Sequence, residues 1–153
     1  MPLLTVGTKA PDFSAKDEQN QALTSSQAMG SAGMVLIFYP GDMTPGCTVQ
    51  LCAIRDDWAK FESAGVKVYG VNHADAASHI TFRGTYKFPF PLLIDEDKAM
   101  SRAFGATRSF LGLSLLKRTV VGIDNQGMIV FYRHGMPKNA DILKVFTKNL
   151  KNV

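Results

Sequence analysis

Met34-Val35-Leu36-Ile37-Phe38-Tyr39 is an unbroken apolar run, and Pro40 ends it. Such a run predicts a central strand buried on both faces. Thr44-Pro45-Gly46-Cys47 follows almost at once and carries signals that start a helix. Thr44 suits the capping position, and Pro45 suits the first helical residue, where the missing N–H has no intrahelical partner in any case. A buried strand that feeds straight into a helix points to layered α/β architecture. It also puts Cys47 on the third helical residue, where unpaired N–H groups and the positive end of the helix dipole favour a thiolate.

The remaining pattern fits that architecture. Polar turn residues 16–20 between short apolar pieces predict an N-terminal hairpin, with a short helix after it from Ser25 to Met29. The Cys47 helix is expected to run to about Ser63 and stop near Gly65. Val66–Val71 reads as a strand, 75–87 as a helix ending before Pro89, Leu92–Ile94 as a short strand and Lys98–Phe104 as a short helix. Arg118–Ile123 and Met128–Tyr132 form a hairpin whose Gly127 supplies the positive φ of the turn, and residues 139–150 close the chain as an amphipathic helix. The expected fold is α/β, a mixed central sheet flanked by helices, in one domain spanning 1–153.

Composition narrows the class. Hydrophobic residues make up 46% and charged residues 20%, ordinary for a globular chain with one core. No apolar run approaches membrane-spanning length, and Met1 to Gly7 has no basic or long apolar leader, so no membrane association is expected and the expected address is cytoplasmic. In such a compartment two cysteines point to redox chemistry rather than a structural staple. The net charge of +4 is spread along the chain without basic and aromatic interleaving, which argues against nucleic acid as a partner.

On the helix, Cys47, Leu51, Ile54, Trp58 and Phe61 line one apolar stripe. A cysteine heading such a stripe is commonly an inert small hydrophobe. The helix-start position and the strand that aims the loop favour a nucleophile instead. Cys52 lies roughly 140° around the helix and roughly 7.5 Å along it. An intact helix therefore keeps the thiols beyond the roughly 7 Å Cα separation a disulfide tolerates, so bonding requires unwinding. On spacing alone, Cys52 reads equally well as a releasable thiol and as a chance residue at the edge of the polar face.

Pro40, Thr44 and Cys47 at the spacing P-x-x-x-T-x-x-C, the fuller string T-P-G-C-T-x-x-x-C, and Arg55-Asp56 after it resemble the peroxiredoxins, in particular the bacterioferritin comigratory protein or peroxiredoxin Q group. Ala10-Pro11-Asp12-Phe13, Phe38-Tyr39-Pro40, Leu92-Leu93-Ile94-Asp95 and Arg118 to Asp124 extend the resemblance over most of the chain. It implies a thioredoxin-like fold that reduces hydroperoxides without cofactor or metal. It further implies that Cys47 attacks the peroxide, Cys52 resolves the sulfenic acid to a disulfide, Thr44 and Arg118 hold the peroxide and thiolate, and Pro40 shields the site from water. The implied partner is thioredoxin or a similar dithiol reductant, and the implied assembly is a monomer or weak homodimer. Gln50 stands where many members carry Glu, and Asn72-His73-Ala74-Asp75 replaces a Ser-rich stretch.

Other readings fit less well. Gly41 to Thr48 has a P-loop outline, but Cys47 replaces the lysine and Asp42 repels phosphate. Cys47, Cys52, His73, His79 and His134 lack the close pairs of a metal site, so the histidines are expected at the surface or hydrogen-bonded in the core. A general dithiol oxidoreductase favours C-x-x-C. The competing class is a catalytically silent thioredoxin-fold interaction or chaperone module. The segment Phe110 to Leu116, broken by Gly112 and Ser114, reads equally as core packing or interaction surface.

Overall fold

The computed structural model of the chain describes residues 4–150. The reading of the chain's start falls in part on residues 1–3, which lie outside them. Strands β1 (Ser14–Asp17) and β2 (Ala22–Thr24) form the expected hairpin, followed by α1 (Ser25–Ala28). The chain continues through β3 (Gly33–Phe38), α2 (Pro45–Asp56), α3 (Trp58–Ser63), β4 (Val66–Asn72), α4 (Ala76–Tyr86), β5 (Leu92–Ile94) and α5 (Ala99–Ala103). It ends with β6 (Thr107–Phe110), β7 (Leu113–Leu116), β8 (Thr119–Asp124), β9 (Ile129–His134) and α6 (Asn139–Leu150).

Seven strands make one mixed sheet in the order β2-β1-β5-β4-β3-β8-β9. β3 pairs parallel with β4 and antiparallel with β8. All six residues of β3 are buried, as its unbroken apolar run requires. Strand alternation splits them between two cores. Val35, Ile37 and Tyr39 join α2, α3, α4 and α6 on one face through Leu51, Ile54, Phe61, Phe82 and Phe146. Met34, Leu36 and Phe38 join α1 and α5 on the other through Ala28 and Met100.

One expectation is corrected here. The helix expected to reach Ser63 breaks at Asp57 (φ −100°, ψ 16°). Asn139 at the start of α6 donates one side-chain amide to the Ala53 carbonyl at 3.0 Å and to Asp57 Oδ2 at 2.9 Å, so a contact from the far end of the sequence closes α2 there. The segment 110–116, left open between core and interaction surface, belongs to a separate hairpin of β6 and β7. Leu111 (φ 51°) and Gly112 (φ 79°) supply the two positive φ angles of a tight two-residue turn. Leu116 is buried, whereas Phe110, Leu111 and Leu113 are 60%, 86% and 64% exposed.

Candidate active site

β3 delivers the site. Tyr39 extends it by donating its N–H to the Val71 carbonyl at 3.2 Å, and the chain then leaves the sheet through exposed Pro40. The loop passes Asp42 and Met43 and enters α2 with Thr44 in extended conformation at the cap position and Pro45 at the first helical turn. The expected side-chain cap is absent. The Thr44 hydroxyl instead donates to the Gly41 carbonyl at 2.9 Å, closing the loop on itself. The Thr44 carbonyl accepts from the Thr48 N–H at 2.9 Å and the Thr48 hydroxyl at 2.7 Å, so this carbonyl is doubly held at the helix entrance.

Cys47 is 1% exposed in the core cluster with Tyr39, Leu51 and Ile54. Arg118 reaches it through sheet register: Thr119 pairs with Phe38, so the residue before Thr119 lies beside the end of β3 where the Cys47 loop departs. The Arg118 Nη2 donates to Cys47 Sγ at 3.4 Å and its Nη1 to Gln50 Oε1 at 2.8 Å. Gln50, 7% exposed and one helical turn beyond Cys47, thus holds one arm of the guanidinium while the other meets sulfur. A donor of fixed charge stabilises negative charge on sulfur, or on an oxygen bound beside it, through charge-assisted hydrogen bonds. The Arg118 carbonyl accepts from the Gly135 N–H at 2.7 Å, which anchors the backbone behind the guanidinium.

Cys52 is half-buried and packs against the same core; both cysteines are free thiols. Pro40, Thr44, Cys47 and Cys52 therefore occur on one continuous loop and helix, and Arg118 joins them from 71 residues away. Sequence reading set Gln50 aside, although its place three residues after Cys47 put it on reach of the same guanidinium. It also treated Asp42 as a loop charge, whereas the side chain is 3% exposed and accepts four hydrogen bonds, from Tyr39, Asn72, Ser78 and His79. Burial acts to raise the Asp42 carboxyl, but the hydrogen bonds from His79, Tyr39 and Ser78 and the His79 charge outweigh it, leaving the group below its ordinary value. Burial above all, then the Asp42 charge and hydrogen bond, pushes the Tyr39 phenol well above its own.

The histidines divide as expected. His73 is exposed, His79 is fully buried, and exposed His134 shares a 2.9 Å hydrogen bond with Thr119 Oγ1. Among the described residues, no group of three or more His, Cys, Asp or Glu is placed to hold a metal ion. A surface cleft of about 740 Å³ lies between β1, β5 and the start of α4, lined by Lys16, His73, Asp75 and Glu96, away from Cys47.

The model of the AhpC/TSA family matches residues 6–132. The chain is 41% identical to the chloroplastic peroxiredoxin Q of Arabidopsis thaliana over 123 residues, 80% of this chain and 56% of that protein. It is 39% identical to the chloroplastic peroxiredoxin Q of Oryza sativa subsp. japonica over 125 residues, 82% of this chain and 57% of that one. The chain thus spans a little over half the length of these curated relatives. Among solved structures, peroxidoxin BcpB of Mycobacterium tuberculosis superposes with a TM-score of 0.88 at 26% identity, covering 95% of this chain and 98% of that one. Peroxiredoxin Q of Xanthomonas campestris superposes with a TM-score of 0.80 at 25% identity, covering 95% and 97%. With the family match spanning most of the sheet and the Cys47 loop lying inside it, this chain belongs to the AhpC/TSA family.

Proposed function

We propose that the chain is a thiol peroxidase, working as a single domain, in which Cys47 is the peroxidatic cysteine and Cys52 the resolving one. The observation that carries this reading is the Arg118 guanidinium 3.4 Å from a sulfur at the start of a helix. The Cys47 thiolate attacks one peroxide oxygen, the O–O bond breaks, and the leaving oxygen departs with a proton as water or alcohol. Cys47 is left as a sulfenic acid. The Cys52 thiolate then attacks the Cys47 sulfur, water leaves, and a disulfide forms. Thioredoxin or a similar dithiol returns both thiols by exchange.

Arg118 stabilises the thiolate and the charge developing on the departing oxygen. The Thr44 proton is committed to the Gly41 carbonyl, which leaves its oxygen lone pairs to accept from a peroxide O–H. Pro40, at the loop's start, limits water at the site. Hydrogen peroxide and organic hydroperoxides are the proposed substrates, and monomer or weak homodimer the proposed assembly. The cytoplasm is the proposed compartment, a reducing one that keeps both thiols free. The plant relatives are named as chloroplastic, and cell fractionation decides between the two.

Mass spectrometry before and after one equivalent of hydrogen peroxide tests the reaction. The parent is expected to lose two hydrogens as the disulfide forms, and Cys52→Ser to gain one oxygen and stop. Cys47→Ser is expected to remain unchanged. A parent chain whose mass is untouched by peroxide defeats the proposal and leaves the silent thioredoxin-fold module.

A further inference from the structure

Asp42 and His79 come from different parts of the fold, 37 positions apart, and meet with no solvent between them. The His79 ring is 0% exposed and its Nδ1 lies 2.6 Å from Asp42 Oδ2. Its other nitrogen, Nε2, lies 2.9 Å from the Leu93 carbonyl on β5. Both partners are acceptors: the carbonyl has no proton, and the carboxylate already receives the Tyr39 hydroxyl at 2.7 Å, the Asn72 amide at 3.0 Å and the Ser78 hydroxyl at 2.7 Å. The Asn72 amide is oriented independently, because its oxygen accepts the Ala74 N–H at 2.9 Å. A neutral imidazole carries one N–H and would aim a lone pair at one of the two acceptors. The surroundings therefore assign a hydrogen to each ring nitrogen, and the two opposite charges sit buried against one another.

This pair is joined to the loop that carries the site. Asp42 precedes Met43, which holds a left-handed backbone (φ 62°) that L side chains rarely adopt, and Thr44 follows directly. Through the one carboxylate, this loop is tied to the end of β4 (Asn72), to α4 (Ser78 and His79) and, by way of His79, to β5 (Leu93). Over-determination of this kind is what keeps a strained loop in place. Displacing a reacting group by an ångström is enough to slow a reaction substantially.

We propose that the Asp42–His79 pair is a buried ion pair whose role is to position the Met43–Thr44 loop for peroxide capture. Both are positioning residues, acting through Thr44 and the entrance to α2. The inference rests on the reading of Cys47 as the peroxide-reactive thiol.

Two measurements test it. In nitrogen-labelled parent protein at neutral pH, long-range proton–nitrogen correlation spectra are expected to show hydrogens on both His79 ring nitrogens. A ring with one bare nitrogen overturns the ion pair. In Asp42→Asn, the second-order reaction of Cys47 with hydrogen peroxide is expected to slow at least tenfold. Alkylation of Cys47 by iodoacetamide, which needs a reactive sulfur but no bound peroxide, is expected to change less than threefold. A peroxide rate within twofold of the parent overturns the positioning role, and so does an equal slowing of both reactions, which marks mere support of the fold. If Asp42→Asn does not fold, Ser78→Ala removes one of the same four hydrogen bonds at smaller cost. It is expected to slow the peroxide reaction two- to fivefold with alkylation unchanged, and equal rates count against the role. Failure of the peroxidase reading itself is seen separately, as a parent chain that consumes no peroxide.

Discussion

A Cβ placed on Gly46 would lie 3.1 Å from Nη2 of Arg118. The guanidinium therefore crowds the space a side chain at position 46 would take and would have to give by a few tenths of an ångström, which offers one explanation for the glycine before Cys47. Gly46→Ala is expected to push Arg118 off the sulfur and slow peroxide reaction roughly threefold to tenfold, with folding unaffected. Stopped-flow oxidation of the variant beside a thermal melt measures both, and an unchanged rate refutes the explanation.

Removing the guanidinium is expected to have a larger effect. Arg118→Ala is expected to slow the reaction of Cys47 with hydrogen peroxide at least tenfold, a barrier increase of about 1.4 kcal/mol or more. Lysine restores only part of this, because it lacks the planar fork that meets Cys47 and Gln50 together. A rate for Arg118→Ala within twofold of the parent would show that the contact is incidental.

Disulfide formation between Cys47 and Cys52 is expected to unwind the first turns of α2 and to leave its far end in place. Asn139 holds the Ala53 carbonyl and Asp57, fixing that end to α6. Amide exchange is expected to accelerate on oxidation over about residues 45–54 and to stay slow in α3. Unchanged protection in a sample shown to carry the bond contradicts the unwinding. Spread of the fast exchange into α3 contradicts the Asn139 boundary.

Stability in acid follows from Asp42. A carboxyl whose folded-state pKa is lowered binds fewer protons folded than unfolded just below its ordinary value of 3.8. Its contribution is present above that value and is lost as pH falls through the folded-state one. Asp42→Asn is expected to show a shallower fall in melting temperature between about pH 5 and pH 2 than the parent. Parallel curves would assign the acid sensitivity elsewhere.

The β6–β7 hairpin carries Phe110 opposite Leu113, both largely exposed. Changing both to Ser is expected to alter stability by no more than about 0.5 kcal/mol, because neither side chain is part of a core. A loss well beyond that would return the segment to core packing. With stability intact, sedimentation reports whether these side chains join two copies, and the ratio of rates on cumene hydroperoxide and hydrogen peroxide reports whether they touch substrate.

Cys47 was legible because its surroundings are local: an apolar run, a proline and a helix start lie within a few residues of one another. Arg118 was legible only through family resemblance, since the register that brings it to Cys47 spans 71 positions. Asp42 and His79 left no local trace, because a loop aspartate and a helical histidine acquire meaning only when packing excludes water from both. The break at Asp57 was missed for a similar reason, its cause being an asparagine from the start of the last helix. The β6–β7 turn escaped notice because Leu111, rather than Asn or Asp, takes the first positive φ.

The ends of the sheet bear on how such a chain survives repeated opening. β2, at one edge, is three residues long. At the other edge, the first residue of β9 is covered, with Ile129 exchanging hydrogen bonds at 2.8 Å with Gly7 and Thr8. Short or shielded edges give a neighbouring chain little to pair with. The backbone that the proposed disulfide frees is helical and lies outside the sheet, so each opening releases a few turns of helix and leaves every strand paired. Loss of protein to aggregation is then not expected to rise with the number of turnovers, since the opening itself exposes no new strand edge among the described residues.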